Sequence, residues 1–115
     1  DALVAAGVGN LVMVSGDAHM VAVDDGTNSA YATATLPDGT AAGGFPVFHA
    51  AALDRPGNIK GGPYSEGAFA GGGQYGELDV VDDGGDVVTV RFRGRNWAGE
   101  TLVRWTGSFP VGPDA

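Results

Sequence analysis

Residues 10–19, Asn-Leu-Val-Met-Val-Ser-Gly-Asp-Ala-His, carry an unbroken apolar run into a polar end. Four apolar residues, two of them β-branched, predict a β-strand covered on both faces, and Gly16 predicts a sharp break where the polar groups begin. In an extended chain, positions two apart share a face, so Asp17 and His19 are expected to converge within about 7 Å while Ala18 turns away. One hard oxygen donor and one borderline nitrogen donor at a strand end make a candidate metal half-site. A solvated turn bearing an ordinary histidine is the other reading of the same residues.

Outward from that strand, the length of 115 residues allows one small domain, and 21 glycines raise the entropy lost on folding and thin the core. Six basic against fourteen acidic residues leave a net charge of −8. That charge repels phosphate backbones and anionic lipid, so nucleic acid and membrane surfaces are not expected partners. A phosphorylated small substrate stays open, because bound cations invert the local potential around carboxylates. The absence of cysteine excludes disulfides, zinc fingers and thiol catalysis. No apolar stretch approaches the roughly 20 residues needed to cross a bilayer as a helix. Residues 1–8, DALVAAGV, read as the last two turns of a helix stopped at Gly7 or Gly9. A helix that short is marginal alone, so residues 1–115 are expected to form a single partial domain, a piece of something longer.

Beyond His19, Met20-Val21-Ala22-Val23 continues as an extended segment until Asp24-Asp25-Gly26 imposes a turn. Residues 30–35, AYATAT, alternate as a strand does, and Pro37-Asp38-Gly39 closes it. Residues 45–50, FPVFHA, form a short strand that Pro46 demotes toward an edge or a loop. From Asp54 to Gly76 the punctuation by glycine and proline predicts one long loop. The last third is an antiparallel meander: residues 78–81, the turn Asp82-Asp83-Gly84-Gly85-Asp86, residues 87–93, a second turn at 95–99, and residues 100–106. Val88, Val90 and Phe92 are expected on its covered face. The fold class is therefore α+β, predominantly β, with one terminal helix.

Other chemistry-bearing groups are fewer. Asp24, Asp25 and Asn28 offer oxygens, but the run DDGTNS lacks the spacing and terminal glutamate of an EF-hand loop and reads as a turn. His49 sits in an apolar run, where a hydrogen-bonded structural role outranks ligation. Ser15 has no glycine two positions before it, so the nucleophile-elbow pattern is absent and a serine hydrolase is not indicated. The glycine-rich residues 61–67 lack the G-K-[S/T] of a phosphate cradle; they read as a pocket rim, with Lys60 and Tyr64 as substrate-contact candidates. Trp97 and Trp105 suit either a sugar-stacking platform or packing.

The stretch GNLVMVSGDAH resembles the last metal-binding segment of the alkaline phosphatase D family, a branch of the calcineurin-like metallophosphoesterases in which a strand ends in S-G-D-x-H. The later text FPVFHAAALDRPGNIKGGPYSEGAFAGGGQYGELDV resembles the glycine-rich stretch and closing strands of bacterial members. The likeness covers the whole chain but only the C-terminal part of the family. It implies a four-layer αββα sandwich, hydrolysis of phosphate mono- or diesters at a dinuclear centre of divalent or trivalent metal ions (calcium, iron, manganese or zinc), and an extracellular or periplasmic location. By the same likeness His19 is a metal ligand and Asp17 a ligand or its partner, standing where many relatives carry histidine in G-H-x-H. The family's upstream D-x-H, G-D-x-x-D and G-N-H-[D/E] segments do not occur here. The expectation is a chain inactive or nearly so without the N-terminal portion that would supply them. The alternative is a non-catalytic β-rich module binding carbohydrate or calcium. A third reading is a structural fragment whose open sheet edges pair with the remainder.

Overall fold

A computed structural model describes residues 1–111; the last four positions of the expected 1–115 domain lie outside the described residues. The described chain is mostly β. One turn of helix, α1 (Ala2–Ala5), precedes seven strands: β1 (Met13–Ser15), β2 (Met20–Asp24), β3 (Val47–His49), β4 (Gly67–Ala70), β5 (Tyr75–Asp82), β6 (Val87–Arg95) and β7 (Thr101–Pro110). They form two sheets, one ordered β1-β3-β2-β4 and one ordered β5-β6-β7. The first is mixed, with β1 parallel to β3 and the remaining pairs antiparallel. The second is the expected meander, antiparallel throughout.

The two sheets pack face to face. Val21, Val23 and Phe48 from the mixed sheet meet Val90, Phe92 and Val103 from the meander in one buried cluster. Phe48 stacks on Phe92 with ring centroids 4.8 Å apart and planes 5° from parallel, and Trp105 leans on Phe48 at 5.4 Å. The alternation expected for residues 87–93 holds: Val90 and Phe92 are buried in this cluster, while Arg93 turns outward to Asp79, 2.7 Å away. Gly94 sits under Val21, where even a methyl group would collide with the valine side chain, so the close approach of β2 to β6 requires glycine.

Several local expectations are corrected. The strand covered on both faces is β2, all five of whose residues are buried, and not β1, whose Met13 and Val14 are 47 % and 55 % exposed. The physical reason is position: β2 lies between β3 and β4 with the meander beneath it, whereas β1 has a neighbour on one side only. Residues 45–50 do contain a strand, but it is an interior one. Pro46 stands just before its first residue, where the missing N–H interrupts no ladder, and the proline carbonyl accepts a hydrogen bond from Met13 N at 2.9 Å. Residues 30–35 make no strand. They contribute the isolated bridge Thr35 to Ala41 and backbone hydrogen bonds linking Ala32 and Ala34 with Ala42, because small alanine and threonine side chains bury too little to hold a longer ladder.

The long loop at 54–76 is interrupted by β4, which supplies Phe69 to the core rim. The terminal helix is one turn rather than two. It ends at Gly7 (φ +71°) in a Schellman motif, with Gly7 N donating to Val4 O at 3.1 Å and Val8 N to Leu3 O at 2.9 Å.

One flank of the sandwich stays open. Val14 on β1 and Leu78 and Val80 on β5 are exposed, and the latter two lie on the meander face that carries Phe92 and Val90. The radius of gyration, 15.3 Å, exceeds the roughly 13 Å of a closed domain of this length. No described helix is long and apolar enough to cross a membrane.

Candidate functional site

β1 ends at Ser15, and after Gly16 the chain turns through two left-handed residues, Asp17 (φ +55°) and His19 (φ +58°). Aspartate and histidine are among the side chains that tolerate this region best. The segment is therefore not extended, and the two side chains converge by a coil rather than by strand periodicity. His19 Nε2 lies 3.1 Å from Asp17 Oδ1; the Asp17 side chain is 95 % exposed and that of His19 31 %.

The coil is clamped at both ends. Ser15 O accepts from Ala50 N at 3.0 Å, and Ser15 Oγ is hydrogen-bonded to His49 Nδ1. On the far side His19 O accepts from Asn58 N at 3.1 Å, while the Cα of Gly57 presses so closely on the same carbonyl that a methyl group has no room. Residues 55–58, read from sequence as loop punctuation, thus hold the backbone under His19.

The pair forms an imidazole–carboxylate hydrogen bond, and its spacing also matches one edge of a coordination polyhedron. With metal–ligand bonds of about 2.1 Å, neighbouring donors sit about 3.0 Å apart in an octahedral site and about 3.4 Å apart in a tetrahedral one. The observed 3.1 Å falls between them. Two donors are half a site at most, and among the described residues no group of three or more histidine or acidic side chains is gathered for a metal.

Next to this coil, on the outer face of the mixed sheet, is a cleft of about 240 Å³ whose lining includes Asp24, Asn28, Tyr31, His49 and Tyr64. His49 is level with Ser15 in the parallel β1–β3 pair, which sets their side chains on one face. Its ring meets Tyr64 edge-on, with centroids 5.6 Å apart and planes at 87°. Burial holds the His49 imidazole below the ordinary value of 6.5, so it is neutral at pH 7.

Asp24, at the end of β2, is 3 % exposed. Its Oδ1 accepts from Asn28 Nδ2 (2.7 Å) and Ser65 N (2.9 Å), its Oδ2 from Gly26 N (2.9 Å) and Asn28 N (3.0 Å). Desolvation acts to raise the Asp24 pKa, but these bonds from Asn28, Ser65 and Gly26 outweigh it and hold the carboxyl below 3.8. With four N–H donors on its two oxygens, Asp24 is the anchor of the 24–28 turn and the 65 loop, as the turn reading of DDGTNS implies.

Of the substrate-contact candidates, Tyr64 lines the cleft and Lys60 does not. Lys60 acts through its backbone, accepting from Tyr64 OH at 2.7 Å and donating its N–H toward Met20 Sδ at 3.5 Å. Burial, and then the nearby Asp24 charge, push the Tyr64 phenol above 10.0. Trp105 packs against the core, whereas Trp97 is 81 % exposed.

Sequence reasoning weighed Ser15 and His49 separately and missed that they are partners. The available signal was that two short apolar runs, VMVS and PVFH, each end in a polar residue; only the parallel pairing of β1 with β3 makes those ends adjacent. No family model, curated protein or solved structure matches this chain.

Proposed function

We propose that this chain is the C-terminal part of a metal-dependent phosphatase or phosphodiesterase of the calcineurin-like, alkaline phosphatase D-like kind, whose complete catalytic domain is a four-layer αββα sandwich. The observation that carries the reading is the clamped pair of donors, His19 Nε2 and Asp17 Oδ1, 3.1 Å apart at the carboxyl end of β1. Support also comes from the open flank at Val14, Leu78 and Val80, apolar surface of the kind that further elements cover.

His19 would hold one metal ion through Nε2, and Asp17 would share or orient that ligation. The remaining ligands would come from segments N-terminal to residue 1, which are the partner this chain needs. When bound, a metal pair in such a site polarises a phosphoryl oxygen and lowers the pKa of water. The chain's own part is to fix the backbone on either side of the two donors, through Ser15, His49, Gly57 and Asn58. A phosphate ester is the substrate class, and an extracellular or periplasmic location belongs to the same reading.

The test is elemental analysis of the whole protein together with turnover of aryl phosphate mono- and diesters. Stoichiometric metal and activity are expected, with both lost in His19→Ala. Full metal content and turnover in that variant would remove the proposal. A second reading, a carbohydrate-binding module, rests on the exposed indole of Trp97 beside a hollow lined by Phe69 and Leu102. Sugar binding without transition metal or hydrolysis would favour it.

A further inference from the structure

The cleft beside the Asp17–His19 coil has a chemistry of its own, and neither of those two residues lines it. Its volume of about 240 Å³ exceeds the roughly 150 Å³ that accommodates a benzene ring. Among the described residues lining it there is no lysine or arginine, and with His49 neutral the sole charged side chain is Asp24. Each Asp24 oxygen already accepts two N–H donors, so the carboxylate offers a ligand its negative potential but no free acceptor.

Three of the other polar groups are similarly committed. Tyr64 OH donates to Lys60 O, Ser29 Oγ donates to Phe45 O at 2.6 Å, and His49 Nδ1 is taken by Ser15. What remains for a ligand is aromatic surface together with Asn28 Oδ1 and the Tyr31 hydroxyl, which take part in none of these bonds. The Tyr64 and His49 rings meet at a right angle to form a corner, and Tyr31 stands at the rim, 85 % exposed.

These features select by charge and by hydrogen-bonding demand. An anion is repelled by Asp24 and finds no basic partner. A primary ammonium or guanidinium would give up several hydrogen-bonded waters in a cleft whose buried acceptor, Asp24, is already satisfied. A cation whose nitrogen carries methyl groups instead of hydrogens needs no acceptor, gains from the negative potential, and is stabilised by aromatic rings. We propose that this cleft binds a quaternary ammonium group, with Tyr64 and Tyr31 supplying the aromatic surface and Asp24 the countercharge.

The experiment is an NMR titration of the protein with tetramethylammonium chloride, following the His49 and Tyr64 ring signals, beside titrations with tert-butanol, a neutral molecule of similar shape, and with sodium chloride. Saturable shifts of both rings are expected with tetramethylammonium, with at least about tenfold weaker binding of tert-butanol and about tenfold weaker binding of tetramethylammonium to Tyr64→Leu. Tyr31→Leu, altering a residue exposed at the rim, gives a weaker loss in the same direction and serves if Tyr64→Leu proves unfolded by circular dichroism. Absence of saturable shifts, equal binding of tert-butanol, or undiminished binding in the folded tyrosine variants would overturn the proposal.

Discussion

His19 Nε2 lies 3.1 Å from Asp17 Oδ1 although both residues are left-handed and a single alanine separates them. Two such residues so close together are costly for side chains with a Cβ, and the hydrogen bonds and close contacts of Ser15, Ala50, Gly57 and Asn58 fix the backbone on either side of them. If the pair ligates metal, His19→Ala and Asp17→Ala each weaken metal affinity beyond the roughly 10–100-fold that loss of an outer-shell partner costs. Asp17→His, which restores a donor, stays within about tenfold of the wild type. Chelator-competition titrations of the whole protein measure all three. An Asp17→Ala protein with undiminished affinity would leave His19 as the lone ligand of the two.

Gly57→Ala displaces the His19 carbonyl and breaks its bond from Asn58 N, so the variant is expected to lose metal at equal protein concentration. Gly9→Ala is the control. An added methyl there meets nothing within 4 Å, and its effect on stability should be within about 0.5 kcal/mol. Metal retention by a folded Gly57→Ala protein would show that the clamp under His19 does not govern ligation.

Asp24→Asn places an amide NH₂ among four N–H donors that now converge on a carboxylate. A loss of about 1–3 kcal/mol is expected from leaving buried donors unmatched. Because the folded pKa lies below 3.8, the stabilisation from Asp24 is complete above the unfolded value and is lost as pH falls through the folded one. Urea midpoints measured from pH 6 downward should therefore drop in acid more steeply for the wild type than for Asp24→Asn. Parallel pH profiles would contradict this assignment.

His49 shifts stability in the same direction but in a higher pH window, because folding favours its deprotonated, neutral form. Its folded pKa is depressed by burial below 6.5, so its neutral form is favoured on folding, and stability is lost as pH falls from above 6.5 toward the folded value. His49→Gln should flatten that part of the profile while Asp24→Asn leaves it in place. Separate inflections in the two variants are the readout.

Phe48→Ala removes the ring that joins the sheets through Phe92 and Trp105. The expected cost is about 3–5 kcal/mol, a large part of the stability of any small domain. Val14→Ala should cost far less, because Val14 is 55 % exposed on the edge strand. Chemical denaturation of both variants checks the contrast.

By itself the sequence determined what is local. The meander could be read because Val88, Val90 and Phe92 alternate and the turns at 82–86 and 95–99 carry their own glycine and asparagine signals, so strand, turn and partner lie within a few residues of one another. The closeness of Asp17 to His19 was expected from an extended chain, but it arises from two left-handed residues, a backbone turn that period-two reasoning does not report. Only the tertiary structure decided which apolar run is buried. Residues 11–14 (LVMV) and 20–23 (MVAV) are both wholly apolar with two valines each, yet β2 lies inside the sheet and β1 at its rim. It also decided that His49 meets Ser15 and Tyr64, because that corner requires β1 and β3, separated by more than thirty residues, to run parallel and in register. Periodicity along a chain reports which side of a strand is apolar; it carries no information about which neighbours will cover it.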